Sequence, residues 1–351
     1  MMITEEKVLA ALRHVDDPDL KKDLVTLGMI QQLNISDKIT FDLVLTTPAC
    51  PMKDMMVNAC KTAIRMMVDP NIAVEINVTS QVSSTRSADA VLPGVKNVIA
   101  VGSGKGGVGK SSVAVSLALA LKQSGASVGL LDADIYGPSI PTMFGVKEAP
   151  PMIQRDGKQW IVPIEKQGIK LLSIGFMAAP DQAIVWRGPM ISSAFRQFVN
   201  DTEWGELDYL IIDLPPGTGD VQITLSQMVP LTGLVLVTTP QEVAMADARR
   251  AVSMFKMPSI AKPILGVVEN MSYFMPDDMP EKKYYIFGQG GGRRLAEETG
   301  IDFLGELPLV QDYMTMADEG RINAESLVFK PYMNLAAEVA RRVSIVNSNA
   351  G

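Results

Sequence analysis

The sequence predicts an α/β fold in which a large domain built on a parallel sheet follows a small α+β domain. After residue 96, short apolar runs typical of strands alternate with stretches of helical period, the order that produces a parallel sheet. A glycine-rich loop stands between the first of these strands and its helix. Residues 83–94 are rich in Ser, Ala and Pro without apolar period, which indicates a linker. We therefore expect a small domain at 1–82, a linker at 83–95 and a large domain at 96–351.

The amino-acid composition and net charge of the chain argue against several classes of function. The chain has 351 residues, 47% of them hydrophobic, which is enough to fill two cores. Its formal net charge of −7 argues against a broad nucleic-acid footprint, which needs clustered Lys and Arg. It has two cysteines, too few for a disulfide framework, and no apolar run approaches the ~18 residues of a membrane span. We expect a cytoplasmic protein whose partners include neither nucleic acid nor membrane.

The small domain is predicted from its apolar periodicity. Helices are expected within 1–15 and at 52–67, and strands at 24–33, 38–45 and 73–78. Cys50 precedes the second helix, whose N-terminus favours the thiolate that binds metal and attacks electrophiles. Cysteine is also a common buried hydrophobe, so both interpretations of Cys50 stay open. Cys60, inside the predicted helix, and His14, on an apolar helix face, are expected in the core.

The glycine-rich loop matches the phosphate-loop pattern G-x-x-x-x-G-K-[ST]. Backbone N–H groups can wrap a phosphate only where side chains do not intervene, and the following helix N-terminus adds positive potential. Lys110 is expected to reach the β- and γ-phosphates of ATP, and the Ser111 hydroxyl to ligate Mg²⁺. The expected nucleotide contacts are Gly104, Lys105, Gly106, Gly107, Val108, Gly109, Lys110, Ser111 and Ser112.

A dinucleotide fingerprint is the competing interpretation of this loop. Gly102, Gly104 and Gly107 also spell G-x-G-x-x-G, and Asp132 ends the next strand, where a ribose-binding acid would lie. That fold gives no reason for the Gly-Lys-Ser that follows, nor for a second acidic strand end at Asp213. Asp213 closes an apolar run and precedes Leu-Pro-Pro-Gly-Thr-Gly, an arrangement that holds Mg²⁺ beside a loop able to rearrange when the γ-phosphate is lost. The sequence thus predicts a nucleoside triphosphate site.

Lys105 stands directly after the first glycine of the loop, and a loop with a lysine there resembles that of the deviant Walker A ATPases. This family includes partition and septum-positioning ATPases, nitrogenase iron protein and iron–sulfur cluster carriers. The resemblance to the Mrp/ApbC group of cluster carriers covers nearly the whole chain. Besides Lys105, it is carried by Asp-Ala-Asp-Ile-Tyr-Gly-Pro-Ser at 132–139, Trp-Arg-Gly-Pro-Met at 186–190, Asp-Leu-Pro-Pro-Gly-Thr-Gly-Asp at 213–220 and Glu-Asn-Met-Ser at 269–272.

The resemblance implies roles for individual residues. Lys105 would reach across a homodimer interface to the partner's nucleotide, although a solvated loop cation is the simpler alternative. Asp134 would position the attacking water or Mg²⁺, while Asp132 would contact the metal shell through water. Each of these acids is otherwise a loop carboxylate that caps the next element. Asn270 would hydrogen-bond the adenine ring.

The first 82 residues resemble the MIP18-type domain associated with iron–sulfur cluster assembly, through Asp-Pro-Asp-Leu at 17–20 and Thr-Thr-Pro-Ala-Cys-Pro at 46–51. This resemblance favours a functional Cys50. The chain departs from the carrier pattern, however, because residues 273–283 contain no cysteine where relatives carry Cys-x-x-Cys. Methionine and carboxylate do not replace thiolate as the usual cluster ligands, so the interfacial cluster of those relatives cannot form here in the same way.

Three explanations of this departure stay open. Cys50 supplies one thiolate per subunit, completed by the partner chain or by a client. Alternatively, the cluster site is lost, leaving an ATPase that escorts clients. Or a different metal, Mg²⁺ or Mn²⁺, uses the oxygen ligands Asp277, Asp278 and Glu281.

The leading prediction is an ATP-hydrolysing carrier that transfers iron–sulfur clusters to apoproteins, with apoproteins and assembly factors as partners. Its catalytic residues are expected to be Lys105, Lys110, Asp134 and Asp213. A partition or positioning ATPase is the main rival, but residues 335–343 hold just two arginines and no basic membrane-binding face. A reductase like nitrogenase iron protein would need the missing cysteines.

Overall fold

The computed structural model of the chain describes residues 3–86, 91–177, 188–276, 278–322 and 330–350. They form two compact units. The small unit comprises the chain up to Thr85 together with the segment from Ala340 onward, and the large unit runs from Arg86 to Val339. No helix in these described ranges is both long and apolar enough to cross a membrane.

The small unit pairs two helices with a three-stranded sheet. Its elements are α1 (Glu5–Leu12), β1 (Asp16–Asp17), β2 (Lys22–Asp23), β3 (Ile30–Ile35), β4 (Lys38–Leu45), α2 (Lys53–Met67) and β5 (Ala73–Ser80). Strand β4 is central, antiparallel to β3 and parallel to β5. Its alternate side chains from Ile39 to Leu45 are buried, and they share one core with Leu12 of α1 and with Met56 and Ile64 of α2. The period-2 pattern of β4 therefore reflects one buried face.

The predicted strand at 24–33 is wrong for its first half, because the chain turns there. The Asp23 carboxylate accepts the N–H of Thr26 at 2.8 Å, and Gly28 has a φ of +69°, so the backbone doubles back before β3 begins at Ile30. Leu24 and Met29 are nevertheless buried. Because their apolar side chains enter the core from a turn, the composition of this turn is similar to that of a strand.

The large unit is organised around an eight-stranded sheet. Its elements are β6 (Val95–Gly102), α3 (Lys110–Gln123), β7 (Val128–Asp132), α4 (Ile140–Met143), β8 (Met152–Arg155), β9 (Lys158–Ile161), β10 (Ile164–Lys166), β11 (Ile169–Ser173), a 3₁₀ helix (Ile174–Met177), α5 (Gly188–Asn200), β12 (Leu207–Asp213), α6 (Asp220–Met228), β13 (Gly233–Thr238), α7 (Glu242–Lys256), β14 (Ile264–Glu269), α8 (Gly291–Thr299), β15 (Phe303–Glu306) and α9 (Gln311–Asp318). A last helix, α10 (Lys330–Ala350), begins in this unit. The α/β fold class with a preceding small α+β region is confirmed.

The sheet order is β10-β11-β7-β12-β6-β13-β14-β15, and every pairing except β10 with β11 is parallel. The central strands β6, β12 and β13 are buried along almost their whole length, which explains their continuous apolar runs. Parallel strands end at the same edge of a sheet, so Gly102, Asp132, Asp213 and Glu269 lie along one edge. Ligands bind at that edge in open α/β sheets.

Candidate nucleotide-binding site

The phosphate loop joins β6 to α3 with a backbone that tolerates only glycine at two positions. A Cβ on Gly104 would lie 2.2 Å from the carbonyl oxygen of Asp247, closer than real contacts allow. Gly109 has a φ of +78°, and a Cβ there would lie 2.3 Å from Nδ2 of Asn270. Among the described residues, no side chain caps the N-terminus of α3. The first N–H groups of this helix can therefore donate to an anion.

The other predicted loop contacts differ in exposure. Gly106 and Gly107 are exposed, whereas Val108 is buried. Ser112 is half-buried, and its carbonyl accepts the hydroxyl of Tyr313 at 2.8 Å, which ties the start of α3 to α9. The nucleotide contacts of these residues stay predictions, but the strand, loop and helix stand in the order that phosphate binding requires.

Lys110, the first residue of α3, is held by two carboxylates. Its Nζ lies 2.5 Å from Oδ1 of Asp213 and 3.2 Å from Oδ2 of Asp134, and 6% of the side chain is exposed. Burial acts to lower the pKa of Lys110, but the charges of Asp213 and Asp134 outweigh it and raise that pKa above its usual value. Lys110 is thus a permanent cation at the helix N-terminus, where a phosphate would lie.

Asp132 and Asp213 end neighbouring strands in register and are fully buried. Burial and the charge of Asp213 raise the pKa of Asp132 to about 8. Asp132 accepts hydrogen bonds from the Ser173 hydroxyl at 2.9 Å and from the N–H groups of Asp134 at 3.1 Å and Ile140 at 3.3 Å. Burial also raises the pKa of Asp213, although Lys110 opposes it. The raised pKa therefore favours a protonated Asp132 near neutral pH.

The donor set beside Lys110 fits Mg²⁺. Oδ2 of Asp213 is buried and has no hydrogen-bond partner within the described ranges, and the Ser111 hydroxyl is close enough to lower the pKa of this carboxyl. Nowhere in the described chain do three or more His, Cys, Asp or Glu side chains group to hold a metal by themselves. Mg²⁺ in nucleotide sites takes one or two protein oxygens and completes its octahedron with water and phosphate. Asp213 and Ser111 therefore suit it directly, and Asp132 suits its outer shell.

Two segments flank this centre. After Asp213, the N–H of Gly217 donates to the Ser103 carbonyl at 2.8 Å, so the Pro-Pro-Gly-Thr-Gly loop is tied to the start of the phosphate loop. Lys105, by contrast, is exposed, and its ammonium group contacts no acid in the part of the chain that the structure describes. That exposure leaves Lys105 available outside its own chain.

Asn270 packs against the phosphate loop. It is 4% exposed, and its Nδ2 donates to the Val108 carbonyl at 2.9 Å, while its N–H donates to the Thr238 carbonyl. The neighbouring Glu269 is also buried and accepts from the Ser272 hydroxyl and from the N–H of Gly292 at the start of α8. The contact of Asn270 with adenine remains a prediction.

The segment without Cys-x-x-Cys follows directly. Phe274 forms bridges with Tyr284 and Leu309, and Asp278 and Glu281 are exposed. The third residue of the oxygen-ligand alternative, Asp277, lies outside the described residues, as do Trp186 and Arg187 of the Trp-Arg-Gly-Pro-Met motif.

Cys50 belongs to the small unit, where it is half-buried beside Asp17 and Asp19. Burial raises the pKa of this thiol, and the negative charges of Asp17 and Asp19 raise it further. Hydrogen bonds from the two N–H groups that start the helix lower the pKa, but by less. The helix N-terminus therefore does not lower the pKa of Cys50 in the chain by itself, and the role of Cys50 as a cluster ligand stays a prediction. Cys60 is buried in the core as expected, and burial raises its pKa to about 12. The expectation for His14 is wrong: it is exposed, because α1 ends at Leu12, before this residue.

Three residues of these sites have no signal in the sequence. Ser173, whose hydroxyl donates to Asp132, ends β11, where the sequence analysis predicts no strand. Arg341, from the second part of α10, pairs with Asp19 at 2.5 Å beside Cys50. Gln222 in α6 is 1% exposed and follows the loop after Asp213. Only their place in the fold identifies them.

Comparisons with known proteins agree with this geometry. Residues 94–344 match the family model of the NUBPL iron-transfer P-loop NTPases, and residues 5–78 match that of an iron–sulfur cluster assembly protein. The iron–sulfur cluster carrier protein of Synechocystis is 46% identical over 353 residues, covering 98% of this chain and 99% of its own length. That of Deinococcus radiodurans is also 46% identical, covering 97% and 96%.

A solved structure is also similar. The nucleotide-binding protein of Archaeoglobus fulgidus in complex with ADP is 38% identical, covers 68% of this chain and 93% of its own, and has a TM-score of 0.59. The family match covers more than half of the chain, and the two carrier proteins align over nearly all of it. This chain therefore belongs to the family of NUBPL iron-transfer P-loop NTPases, with an N-terminal iron–sulfur cluster assembly domain.

Proposed function

We propose that this protein hydrolyses ATP and carries iron–sulfur clusters to apoproteins. The observation that carries the ATPase half is Lys110, buried between Asp213 and Asp134 at a helix N-terminus that no described side chain caps. The cargo is inferred from the relatives named iron–sulfur cluster carrier proteins and from the assembly domain matched at the N-terminus. Assembly factors that load the carrier are its further partners.

ATP binding would redistribute the contacts of Lys110. The triphosphate is a stronger partner than a carboxylate, so Lys110 would release Asp213 and bind the β- and γ-phosphates. Asp213 and Ser111 are then free to hold Mg²⁺, which supplies positive charge against the developing phosphoryl charge. Asp134, also released, can orient the attacking water. The N–H of Gly217, which donates to the Ser103 carbonyl, would turn to the γ-phosphate.

Lys105 carries the proposal of a homodimer. Its side chain is exposed while the rest of the charged cluster is buried, so its charge contributes little to a nucleotide held by its own chain. Across an interface the same ammonium group would face the partner's phosphates. We therefore place Lys105 in the catalytic centre of the neighbouring subunit, with hydrolysis restricted to the dimer.

The iron–sulfur cluster is the cargo, and this chain has few cysteine ligands for it. The sequence has two cysteines, and the Cys60 thiol is buried with a pKa of about 12. Cys50 is the thiol that a cluster can reach, one per subunit. Fewer thiolates than the four of an ordinary cluster site predict labile binding, completed by the partner subunit or by the client. Both thiols are free, which suits the reducing cytoplasm in which we place the protein.

Anaerobic reconstitution tests the proposal. Wild type, Cys50→Ser and Cys60→Ala are loaded with iron and sulfide and desalted, and iron and sulfide per chain are then counted. Alanine is used at Cys60 because a buried serine hydroxyl would lack a partner. Wild type and Cys60→Ala should retain equal iron, and Cys50→Ser should retain far less. Equal iron in Cys50→Ser and wild type would remove Cys50 as a ligand; no iron in any variant, with hydrolysis intact, would leave an assembly ATPase that holds no cluster.

A further inference from the structure

Gln222 is a buried polar side chain whose hydrogen-bonding groups are unused. It lies in the first turn of α6 (Asp220–Met228) and is 1% exposed. Neither its Nε2 nor its Oε1 has a hydrogen-bond partner in the described part of the chain. Buried side-chain amides are nearly always paired, because an unpaired one loses its bonds to water without replacement. A conformation in which the Gln222 amide gains hydrogen-bond partners would therefore be lower in free energy.

The position of the amide indicates what it can pair with. A Cβ on Gly102 would lie 3.2 Å from Nε2 of Gln222, so the amide faces the backbone where β6 ends and the phosphate loop begins. The next carbonyl, that of Ser103, accepts the N–H of Gly217 at 2.8 Å. Gly217 and Gln222 are five residues apart, on the loop and helix that follow Asp213. The backbone at Gly102 and Ser103 thus lies beside both the loop that follows Asp213 and the unpaired amide.

We infer that Gln222 is a positioning residue that couples the γ-phosphate to the placement of α6. When the Gly217 N–H turns from Ser103 to the γ-phosphate, the Ser103 carbonyl loses its donor. A small shift of α6 then brings the Nε2 of Gln222 onto that carbonyl, so a group that was unpaired becomes bonded. The gain occurs with a triphosphate and not with a diphosphate, because the diphosphate leaves Gly217 in place. This inference rests on the proposed ATPase function and adds the residue that distinguishes ATP from ADP.

The test replaces the amide by an apolar chain of the same length, Gln222→Met, and uses Gln227→Met as the matched control. Gln227 lies on the same helix, is exposed, and donates to the Ser259 carbonyl, which is not part of the phosphate loop. Affinities for ADP and for a non-hydrolysable ATP analogue, steady-state hydrolysis and the melting temperature without nucleotide are measured for wild type and both variants.

Gln222→Met should bind the ATP analogue about tenfold more weakly than wild type, the size of one or two lost net hydrogen bonds. It should bind ADP like wild type, hydrolyse ATP at least about tenfold more slowly, and melt no lower without nucleotide. The control should match wild type in all four measurements.

Other outcomes overturn the inference. Unchanged discrimination between the analogue and ADP would make Gln222 an ordinary core residue. A lowered melting temperature or failure to fold would show that its amide is already paired without nucleotide. If wild type itself neither binds nor hydrolyses ATP, the proposed function fails instead, so the two failures are distinguishable.

Discussion

Replacing Asp132 by asparagine should change how stability depends on pH. Burial and the neighbouring Asp213 raise the pKa of Asp132 to about 8, whereas an unfolded aspartate titrates near 4. Between these values the folded protein holds a proton that the unfolded chain has lost. The free energy of unfolding of wild type therefore falls as pH rises through this window, and the loss is complete above the folded pKa. Asparagine imitates the protonated acid and removes that dependence.

The magnitude follows from the linkage slope. One proton contributes about 1.4 kcal/mol per pH unit, so from pH 5 to pH 8 the stability of Asp132→Asn should rise relative to wild type by up to about 4 kcal/mol. At pH 5 the variant should be about 1–2 kcal/mol less stable, because an amide N–H₂ replaces an oxygen that accepts from Ser173 and Ile140. The two stability curves should therefore cross between these pH values.

The assay is urea unfolding without nucleotide and with EDTA, at four pH values from 5 to 8. All tryptophans of the sequence lie at 160–204, and Trp204 is buried, so fluorescence follows the large unit. Asp208→Asn is the control: hydrogen bonds from Lys96 and Ser127 outweigh burial and lower the pKa of Asp208, so its contribution is lost only below about pH 4. Its difference from wild type should stay flat. If the stability difference between Asp132→Asn and wild type varies by less than about 1 kcal/mol over this range, the raised pKa of Asp132 is refuted.

Three further predictions concern the nucleotide and the thiols. Lys105→Ala should abolish hydrolysis and keep most nucleotide binding, whereas Lys110→Ala should impair both; normal turnover by Lys105→Ala would contradict the role across an interface. Asp213→Asn should slow Mg²⁺-dependent hydrolysis at saturating ATP by about 100-fold or more, and an unchanged rate would remove Asp213 from the metal site. Alkylation of Cys50 should be slow at pH 7 and rise beyond pH 9, while Cys60 should react only on unfolding; rapid reaction of Cys50 at pH 7 would contradict its raised pKa.

The sequence predicts best those features of the fold and the site for which a local residue pattern and the chemical role of its residues agree. The phosphate loop combines an apolar strand, glycines at positions that a Cβ would block, and a lysine that starts a helix. Strand β4 has the predicted bounds, 38–45, because its one buried face gives the sequence a clear apolar alternation. The acids at 132 and 213 could be placed together because parallel strands end at one edge.

Other features depend on tertiary contacts that leave no local trace. Leu24 and Met29 have strand-like composition, yet the Asp23 side chain turns the chain between them. The pKa of Cys50 is decided by burial and by two acids thirty residues earlier, which outweigh the helix terminus. Arg341 is more than three hundred residues from Asp19, its partner beside that thiol, so no sequence window contains both.

Cluster transfer tests the central claim most directly. Reconstituted wild type, Lys110→Ala and Cys50→Ser are mixed anaerobically with an apoprotein whose activity depends on an iron–sulfur cluster, with and without MgATP, and the acceptor's activity is followed. The account predicts that wild type activates the acceptor and that MgATP changes the rate. Lys110→Ala should transfer at a rate that MgATP does not alter, and Cys50→Ser should transfer little. Equal transfer by all three proteins, with no effect of MgATP, would contradict an ATP-dependent carrier that holds its cargo through Cys50.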